Sequence, residues 1–360
     1  MSYAIAAAGT GGHIYPALAV AQEMVTAGVE RDDIAFIGAD RLEATVIPEA
    51  GYELISVEMR GLRRSLSLSN LSLPFVVRRA AATVTAELRR RRVKSLLVMG
   101  GYITVPSVMA ARRSDVPYVV HEQNGHPGLA NRLVSRGAAK VLVAFPEAAA
   151  KLRGAQVVGN PLRRSLISMD KGARRHAARE RYGLDVAGLV VGVMGGSQGA
   201  VAINNAVSRY AERPDRPALV HLVGPSHGEA LLQRSKEAPI PWRIVGFENS
   251  MEDFYAACDL VVSRAGASTV SELAATATPS VLVPLEAVAQ ENNANYLVNA
   301  GAAVVVQQGD LGILGSVIDR LLADPKQLAA MSAAALGASR PQAAVAVAEA
   351  VIGAAGGGTK

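Results

Sequence analysis

In the stretch Asp259–Glu272, DLVVSRAGASTVSE, an apolar run leads into a glycine, two hydroxyl side chains and then a carboxylate. Leu260, Val261 and Val262 predict a short strand, Gly266 the sharp turn after it, and Ser268 or Thr269 the cap of a helix starting there. The first-turn N–H groups of such a helix lack backbone partners and sit at the positive end of its dipole. A diphosphate can rest on them without a metal. Glu272, about one turn in, would repel a phosphate but can accept hydrogen bonds from ribose hydroxyls. The stretch reads either as a nucleotide site or as an ordinary strand, turn and helix with Glu272 a solvated acid.

A second constellation opens the chain, where the Tyr3–Ala7 run meets Gly9-Thr10-Gly11-Gly12-His13 and a helix is predicted from Ile14 to Ala27. A dinucleotide fingerprint would need glycine where Ile14 stands, so an NAD-type loop is disfavoured. What remains is a nest of amides suited to an anion or a sugar, with His13 at the mouth of a strand end. His13 reads as a general base or as a helix cap. Further along, Leu189–Met194 ends in Gly195-Gly196-Ser197-Gln198-Gly199-Ala200. Ala200 and Val201 exclude a Walker loop. The match of Gly195-x-Ser197-x-Gly199 to a nucleophile elbow fails because no histidine follows His227. Ser197 is better placed to touch a phosphate from a helix N-terminus. His121, Glu122 and His126 form HExxxH, the wrong spacing for a helical zinc pair, so no metal and no cofactor is expected.

These residues need strands to carry them. Apolar runs predict seven strands before residue 160, near 3–7, 34–37, 54–57, 96–99, 116–120, 141–144 and 157–158, and six after it, near 189–194, 218–223, 243–245, 260–262, 280–283 and 303–306. Glycine turns or polar clusters follow several of them: Gly100-Gly101-Tyr102, then His121 to Asn124, whose polar groups must be hydrogen-bonded or face a ligand. The pattern is α/β, in two doubly wound domains, 1–162 and 163–340. Leu285–Asn295 is a polar loop opening a helix, and its Gln290, Glu291, Asn292 and Asn293 suit sugar hydroxyls. An Ala-rich helix over 341–352 ends the chain.

The 360 residues are 50% hydrophobic and 19% charged, with net charge +6 and a single cysteine, Cys258. A lone cysteine excludes an internal disulfide and suits a reduced compartment. The N-terminus lacks the basic region of a signal peptide, and Ser95–Ala111 is broken by Gly100, Gly101 and Pro106, so neither is read as a leader or a span. Aromatics at 4% and no RNA-binding signature argue against nucleic acid, leaving an anionic membrane for the positive charge. Leu66, Leu68, Leu71, Leu73, Phe75 and Val76, flanked by Arg63, Arg64, Arg78 and Arg79, read as a membrane-interface patch or as an amphipathic loop packing on its own domain.

Taken together, Gly9–His13 with Pro16, Gly100–Tyr102, His121–Asn124, Gly159–Arg163, Gly195–Ala200 and Gly266–Glu272 stand in an order and spacing that resembles the family 28 glycosyltransferases of peptidoglycan synthesis. The likeness spans nearly the whole chain. It implies a GT-B fold, two Rossmann-like domains facing across a cleft, and a terminal helix (about 341–355) that returns to the first domain. It implies an inverting enzyme moving GlcNAc from UDP-GlcNAc to the C4 hydroxyl of lipid I at the cytoplasmic face of the cell membrane, with other cell-wall enzymes as further partners. Arg163, Ser197 and the backbone of Ala267, Ser268 and Thr269 would hold uridine and diphosphate, Glu272 the ribose, the Glu248 backbone the uracil, and Gln290 the GlcNAc hydroxyls. Thr10, Gly11 and Gly12 would take the acceptor diphosphate, with Tyr102 and Asn124 nearby and His13 as base. Ala8 and Ala289 depart from the family pattern, Ala289 where Gln or His is usual. The alternatives are a diacylglycerol glycosyltransferase of the same fold and a non-catalytic nucleotide-sugar-binding protein.

Overall fold

Short apolar runs without polar alternation form the strands, as they must where both faces of a parallel sheet are covered. The computed structural model describes residues 2–59, 73–196, 200–224, 228–285 and 288–356. Two units emerge, Met1–Arg163 with Pro341–Lys360, and Arg164–Arg340. The division falls one residue later than the sequence suggests, so Arg163 belongs to the first unit.

The strands of unit 1 are β1 (Ser2–Ala6), β2 (Ile34–Gly38), β3 (Glu53–Ser56), β4 (Val93–Val98), β5 (Tyr118–Glu122), β6 (Lys140–Val143) and β7 (Gln156–Val157). They form one sheet in the order β3-β2-β1-β4-β5-β6-β7, every pairing parallel. Its helices are α1 (Gly11–Thr26), α2 (Glu43–Glu49), α3 (Leu73–Arg90), α4 (Thr104–Arg113), α5 (Leu129–Val134) and α6 (Pro146–Ala149). On one face α1 meets the terminal helix (Ala343–Gly356), whose Val347 and Val351 join Ile14, Val20, Met24 and Leu97 in one apolar cluster. Val84 and Leu88 of α3 and Val108 of α4 pack on the other face.

Helix α3 corrects one expectation. Residues 63–72 of the leucine-serine segment lie outside the described residues, but 73–77 open a helix and are not part of a loop. Val76 and Val77 pack partly on the domain core, while Phe75 is exposed.

Strand β5 also runs further than its apolar run predicts, so His121 and Glu122 are buried strand residues and not loop residues. His121 Nε2 lies 3.0 Å from the Gly159 carbonyl and Nδ1 3.1 Å from the Gln123 amide nitrogen. A carbonyl only accepts and an amide nitrogen only donates, which assigns the neutral Nε2–H tautomer. Burial pushes its pKa down to about 4, against which the Gly159 bond is a smaller upward effect. Glu122 accepts from Asn124 N (2.9 Å), Gly128 N (2.9 Å) and Asn131 Nδ2 (2.9 Å), shaping the following loop.

Unit 2 repeats the plan with β8 (Val190–Met194), β9 (Ala218–Leu222), β10 (Trp242–Val245), β11 (Leu260–Ser263), β12 (Ser280–Leu282) and β13 (Ala303–Val305), ordered β10-β9-β8-β11-β12-β13. Its helices are α7 (Arg164–Ile167), α8 (Lys171–Arg181), α9 (Val201–Tyr210), α10 (Gly228–Glu237), α11 (Met251–Ala257), α12 (Ala267–Ala275), α13 (Glu291–Asn299), α14 (Leu314–Leu322) and α15 (Pro325–Gly337). The terminal helix of unit 1 is α16. Helix α8 is tied to the start of β11 by Arg179, fully buried, which donates to Asp259 (2.7 Å) and to the Ala257 carbonyl (3.0 Å). Asp259 also accepts from Val190 N at 2.8 Å, so the central strands β8 and β11 are pinned at that edge. Among the described residues no helix is long and apolar enough to cross a membrane.

Two predictions follow from this packing. A Cβ on Gly192 in β8 would stand 2.5 Å from Cys258 Sγ and 2.7 Å from Phe254 Cζ, both atoms in fully buried side chains. Gly192→Ala should therefore cost about 1–3 kcal/mol by urea unfolding, the usual range for overpacking. His121 is held below its ordinary 6.5, so its neutral form favours the folded state. That stability is complete above pH 6.5 and should drain as pH falls from 6.5 towards about 4; a His121→Gln variant should show a shallower loss over that window.

Candidate active site

In each unit the strand order reverses at one place, between β1 and β4 and between β8 and β11. Ligands of open α/β sheets bind outside the carboxyl ends of the strands at such points. The glycine turns found in the sequence stand there: Gly9 after β1, Gly100 and Gly101 after β4, Gly195 and Gly196 after β8, Gly266 after β11.

In unit 1, α1 begins at Gly11 with Thr10 as its extended N-cap residue, so His13 lies inside the first turn and does not cap it. The Thr10 hydroxyl instead meets His13 Nδ1 at 3.1 Å. With the hydroxyl accepting, Nδ1 carries the proton and Nε2 a lone pair. Nε2 borders Gly100, where a Cβ would come 3.3 Å from it and 3.3 Å from Asn131 Nδ2. Gly100 is at φ 95° and Gly101 at φ 76°, so this close approach needs glycine twice over. Burial lowers the pKa of His13 and the field of Glu43 opposes that. The imidazole is thus neutral at rest, a half-buried acceptor beside the free amides of a helix N-terminus.

Tyr102 donates its hydroxyl to Glu43 at 3.0 Å and lays its ring against Gly9, while Arg41 covers the ring with its guanidinium 5.5 Å from the centroid. It supports the loop. Asn124 is fastened through its backbone N–H to Glu122. Arg163, expected with the donor, is grouped with α1: its guanidinium stands 5.8 Å from the Tyr15 ring centroid. The HExxxH side chains do not gather. His121 is committed to Gly159 and Gln123, Glu122 to the loop, and exposed His126 lies 3.0 Å from Lys151 Nζ.

In unit 2, the cap of α12 is Gly266, extended at φ −64° and ψ 146°, and neither Ser268 nor Thr269 caps it as the sequence suggests. Both are in the first turn, and the buried Ser268 Oγ finds no partner among the described residues. Glu272 is aimed by fully buried Tyr255, whose hydroxyl donates to it at 2.8 Å. Arg264 ties the β11–α12 turn to Val283 O (3.2 Å) and to Gln308. Asn293, read from sequence as a sugar contact, is buried and donates to Ala265 O at 3.0 Å, so it holds α13 against the same turn. Gln290 precedes α13 and accepts from Leu285 N at 3.0 Å through its side-chain oxygen. Ala289 beside it is left-handed at φ 54°. Glu248 is buried and accepts from Tyr182 (2.6 Å), Arg181 (2.8 Å) and Ser250 N (2.7 Å), which fixes its backbone after β10. Burial pushes its carboxyl up, but those bonds outweigh it and leave it below the ordinary value. Ser197 lies outside the described residues.

Glu43, Asn131, Tyr255 and Arg264 were missed by sequence reasoning. Arg264 alone had a signal, a cation immediately before the glycine turn.

Residues 3–143 match the glycosyltransferase family 28 N-terminal domain and residues 190–349 the glycosyltransferase family 28 C-terminal domain. A protein of a Nocardioides species is 39% identical over 344 residues, covering 93% of each chain. One of Mannheimia succiniciproducens is 39% identical over 357 residues, covering 97% of each. Both are named UDP-N-acetylglucosamine–N-acetylmuramyl-(pentapeptide) pyrophosphoryl-undecaprenol N-acetylglucosamine transferase. The crystal structure of Acinetobacter baumannii MurG, at 26% identity, superposes with TM-score 0.79 over 98% of this chain and 100% of its own. An Anabaena HepE structure in complex with UDP shares only the fold, at 16% identity and TM-score 0.67. Two parallel sheets, the GT-B architecture of these neighbours and near-full-length identity to named transferases agree: the chain is a glycosyltransferase and belongs to family 28.

Proposed function

We propose that this enzyme transfers GlcNAc from UDP-GlcNAc to the C4 hydroxyl of the MurNAc unit of lipid I, with inversion, to give lipid II. The observation that carries the reading is 39% identity over 93–97% of the chain to transferases bearing that name. The geometry supports it in both units.

The donor diphosphate is assigned to the α12 N-terminus, with Ala267, Ser268 and Thr269 offering first-turn amides and Ser268 its unpartnered hydroxyl. Glu272, oriented by Tyr255, takes the ribose hydroxyls, the Glu248 backbone the uracil edge, and Gln290 the sugar. Ser197 completes the donor set as a family match. Fixed amides of this kind stabilise the charge that grows on UDP as it leaves, since they need no reorganisation. The acceptor diphosphate is assigned to Thr10, Gly11 and Gly12, with Tyr102 and Asn124 shaping the loops beside it. His13 Nε2 takes the C4 hydroxyl proton while that oxygen attacks the anomeric carbon and the bond to UDP breaks. With the Thr10 hydroxyl accepting from Nδ1–H, Nε2 is left unprotonated for this step.

Lipid I is a membrane lipid, and exposed apolar side chains of unit 1 support a membrane contact there. Phe75 of α3 is 72% exposed, and Leu129 and Leu133 of α5 are 66% and 64% exposed. Helices α3 and α5 both pack on α4, and exposed Arg78, Arg79, Arg132 and Arg136 stand among these side chains in sequence. Apolar side chains with arginines at their margin suit the cytoplasmic face of an anionic bilayer.

Three measurements test the reading. UDP should be released from UDP-GlcNAc only when a lipid I analogue is added, not diacylglycerol, and His13→Ala should lower turnover on the order of 10² to 10⁴ while UDP affinity is kept. By calorimetry Glu272→Ala should weaken UDP and UDP-GlcNAc alike, by about 1–3 kcal/mol; unchanged affinities would remove it from the site. For the membrane, a Phe75→Ser, Leu129→Ser, Leu133→Ser triple variant should lose about tenfold or more in partitioning to anionic vesicles. Its activity on a soluble short-chain acceptor should remain, and a folded variant that still pellets assigns the membrane contact elsewhere.

A further inference from the structure

Glu43 opens α2 and is fully buried, yet no basic side chain pairs with it among the described residues. Its Oε1 accepts from Ala39 N (3.1 Å) and from the Tyr102 hydroxyl (3.0 Å), and its Oε2 from Gly9 N (3.1 Å). All the partners are donors, which is the pattern of an ionised carboxylate. Burying a charge this way is costly, and a neutral side chain could fasten a loop more cheaply. The three partners lie in three different segments: the turn after β1, the turn after β2 and the turn after β4. Two of these, Gly9 and Tyr102, flank the N-terminus of α1, where His13 sits.

The groups around His13 are Thr10 on its own turn, Gly100 and Asn131 from the β4 turn and α5, and Glu43 from α2. Arg41 and Asp40 act on Tyr102, and Arg163 lies over Tyr15 of α1. Among the described residues the charged group whose field acts on the imidazole is Glu43, which favours the protonated ring against the larger effect of burial.

We propose that Glu43 is a positioning residue for the transfer: it fixes the Gly9 turn and Tyr102 beside the α1 N-terminus and provides the negative charge that stabilises His13 as it takes up the acceptor's proton. The proton moves from the C4 hydroxyl to Nε2, the freed oxygen pair forms the bond to the anomeric carbon, and UDP departs with its bonding pair. Glu43 touches no substrate. This rests on the reading of His13 as base.

The test uses full-length Glu43→Gln and Glu43→Asp, with Tyr102→Phe and His13→Ala as references. Side-chain NMR of labelled histidine follows the His13 titration without turnover. Glu43→Gln should move the His13 midpoint down by about half a unit or more, and with it the acid limb of the kcat profile. It should lower kcat about 10- to 100-fold with the KM for UDP-GlcNAc changed less than about threefold. Glu43→Asp should recover most of the midpoint, and Tyr102→Phe, which keeps the charge, should leave it in place. A purely structural role predicts unmoved midpoints, so a folded Glu43→Gln with wild-type midpoint and kcat overturns the proposal. Should Glu43→Gln not fold, Glu43→Asp decides: a kcat loss with the midpoint unmoved also overturns it. His13→Ala turnover within tenfold of wild type would sink the base reading and this proposal together, whereas an inactive His13→Ala beside an unshifted midpoint sinks this proposal alone.

Discussion

Loops that leave the ends of parallel strands cannot pair their amides with a neighbouring strand, and buried carboxylates accept them in this protein. Glu43 takes Gly9 and Ala39, Glu122 takes Asn124 and Gly128, and Glu248 takes Ser250. All three acids are at least nine-tenths buried, where an unfilled lone pair is expensive and a filled one is directional. Each therefore defines the shape of a turn at the ligand-binding edge of its sheet. Asp259 does the same at the opposite edge, where Val190 and Arg179 meet it, and there the result is stability and not a site. The site geometry depends on charges that need not touch a substrate.

This division explains what could be read from the chain. Every strand was legible, because burial on both faces leaves an uninterrupted apolar run such as Leu260–Val262 or Val190–Met194, and the glycine turns marked the edges where ligands bind. Ends were less legible. Strand β5 continues through His121 and Glu122 because Gly159, Gln123 and the following loop satisfy those polar side chains, none of which a local window reveals. For α12 the serine and threonine suggested a cap, but Gly266 in extended conformation starts the helix and leaves Ser268 in its first turn.

Residues that act through distant partners were hidden altogether. Glu43 sits in EATVIPE, which reads as a solvated helix start, and its partners Gly9 and Tyr102 lie 34 and 59 residues away. Tyr255 meets Glu272 across 17 residues, and Asn293 meets Ala265 across 28. Asn293 was misread for the same reason: a polar side chain near a helix start looks solvated until the neighbouring turn is known. Val76 follows the second of the two sequence readings, packing on its own domain, while Phe75 beside it stays exposed.

The two units share a topology, and their chemistry differs through what stands in the first helical turn after the reversal of strand order. In unit 2 that turn holds alanine, serine and threonine, so the positive end of α12 is left undiluted for an anion. In unit 1 it holds His13, and the same positive end disfavours an imidazolium there, as burial does. Both effects favour the neutral ring. Glu43 acts in the opposite direction on the imidazole, while its lone pairs are spent on Gly9, Ala39 and Tyr102. The imidazole can then rest neutral, with Thr10 on Nδ1, and still gain from protonation when the acceptor hydroxyl gives up its hydrogen. In the proposed function the turn assigned to the acceptor diphosphate thus also carries the base.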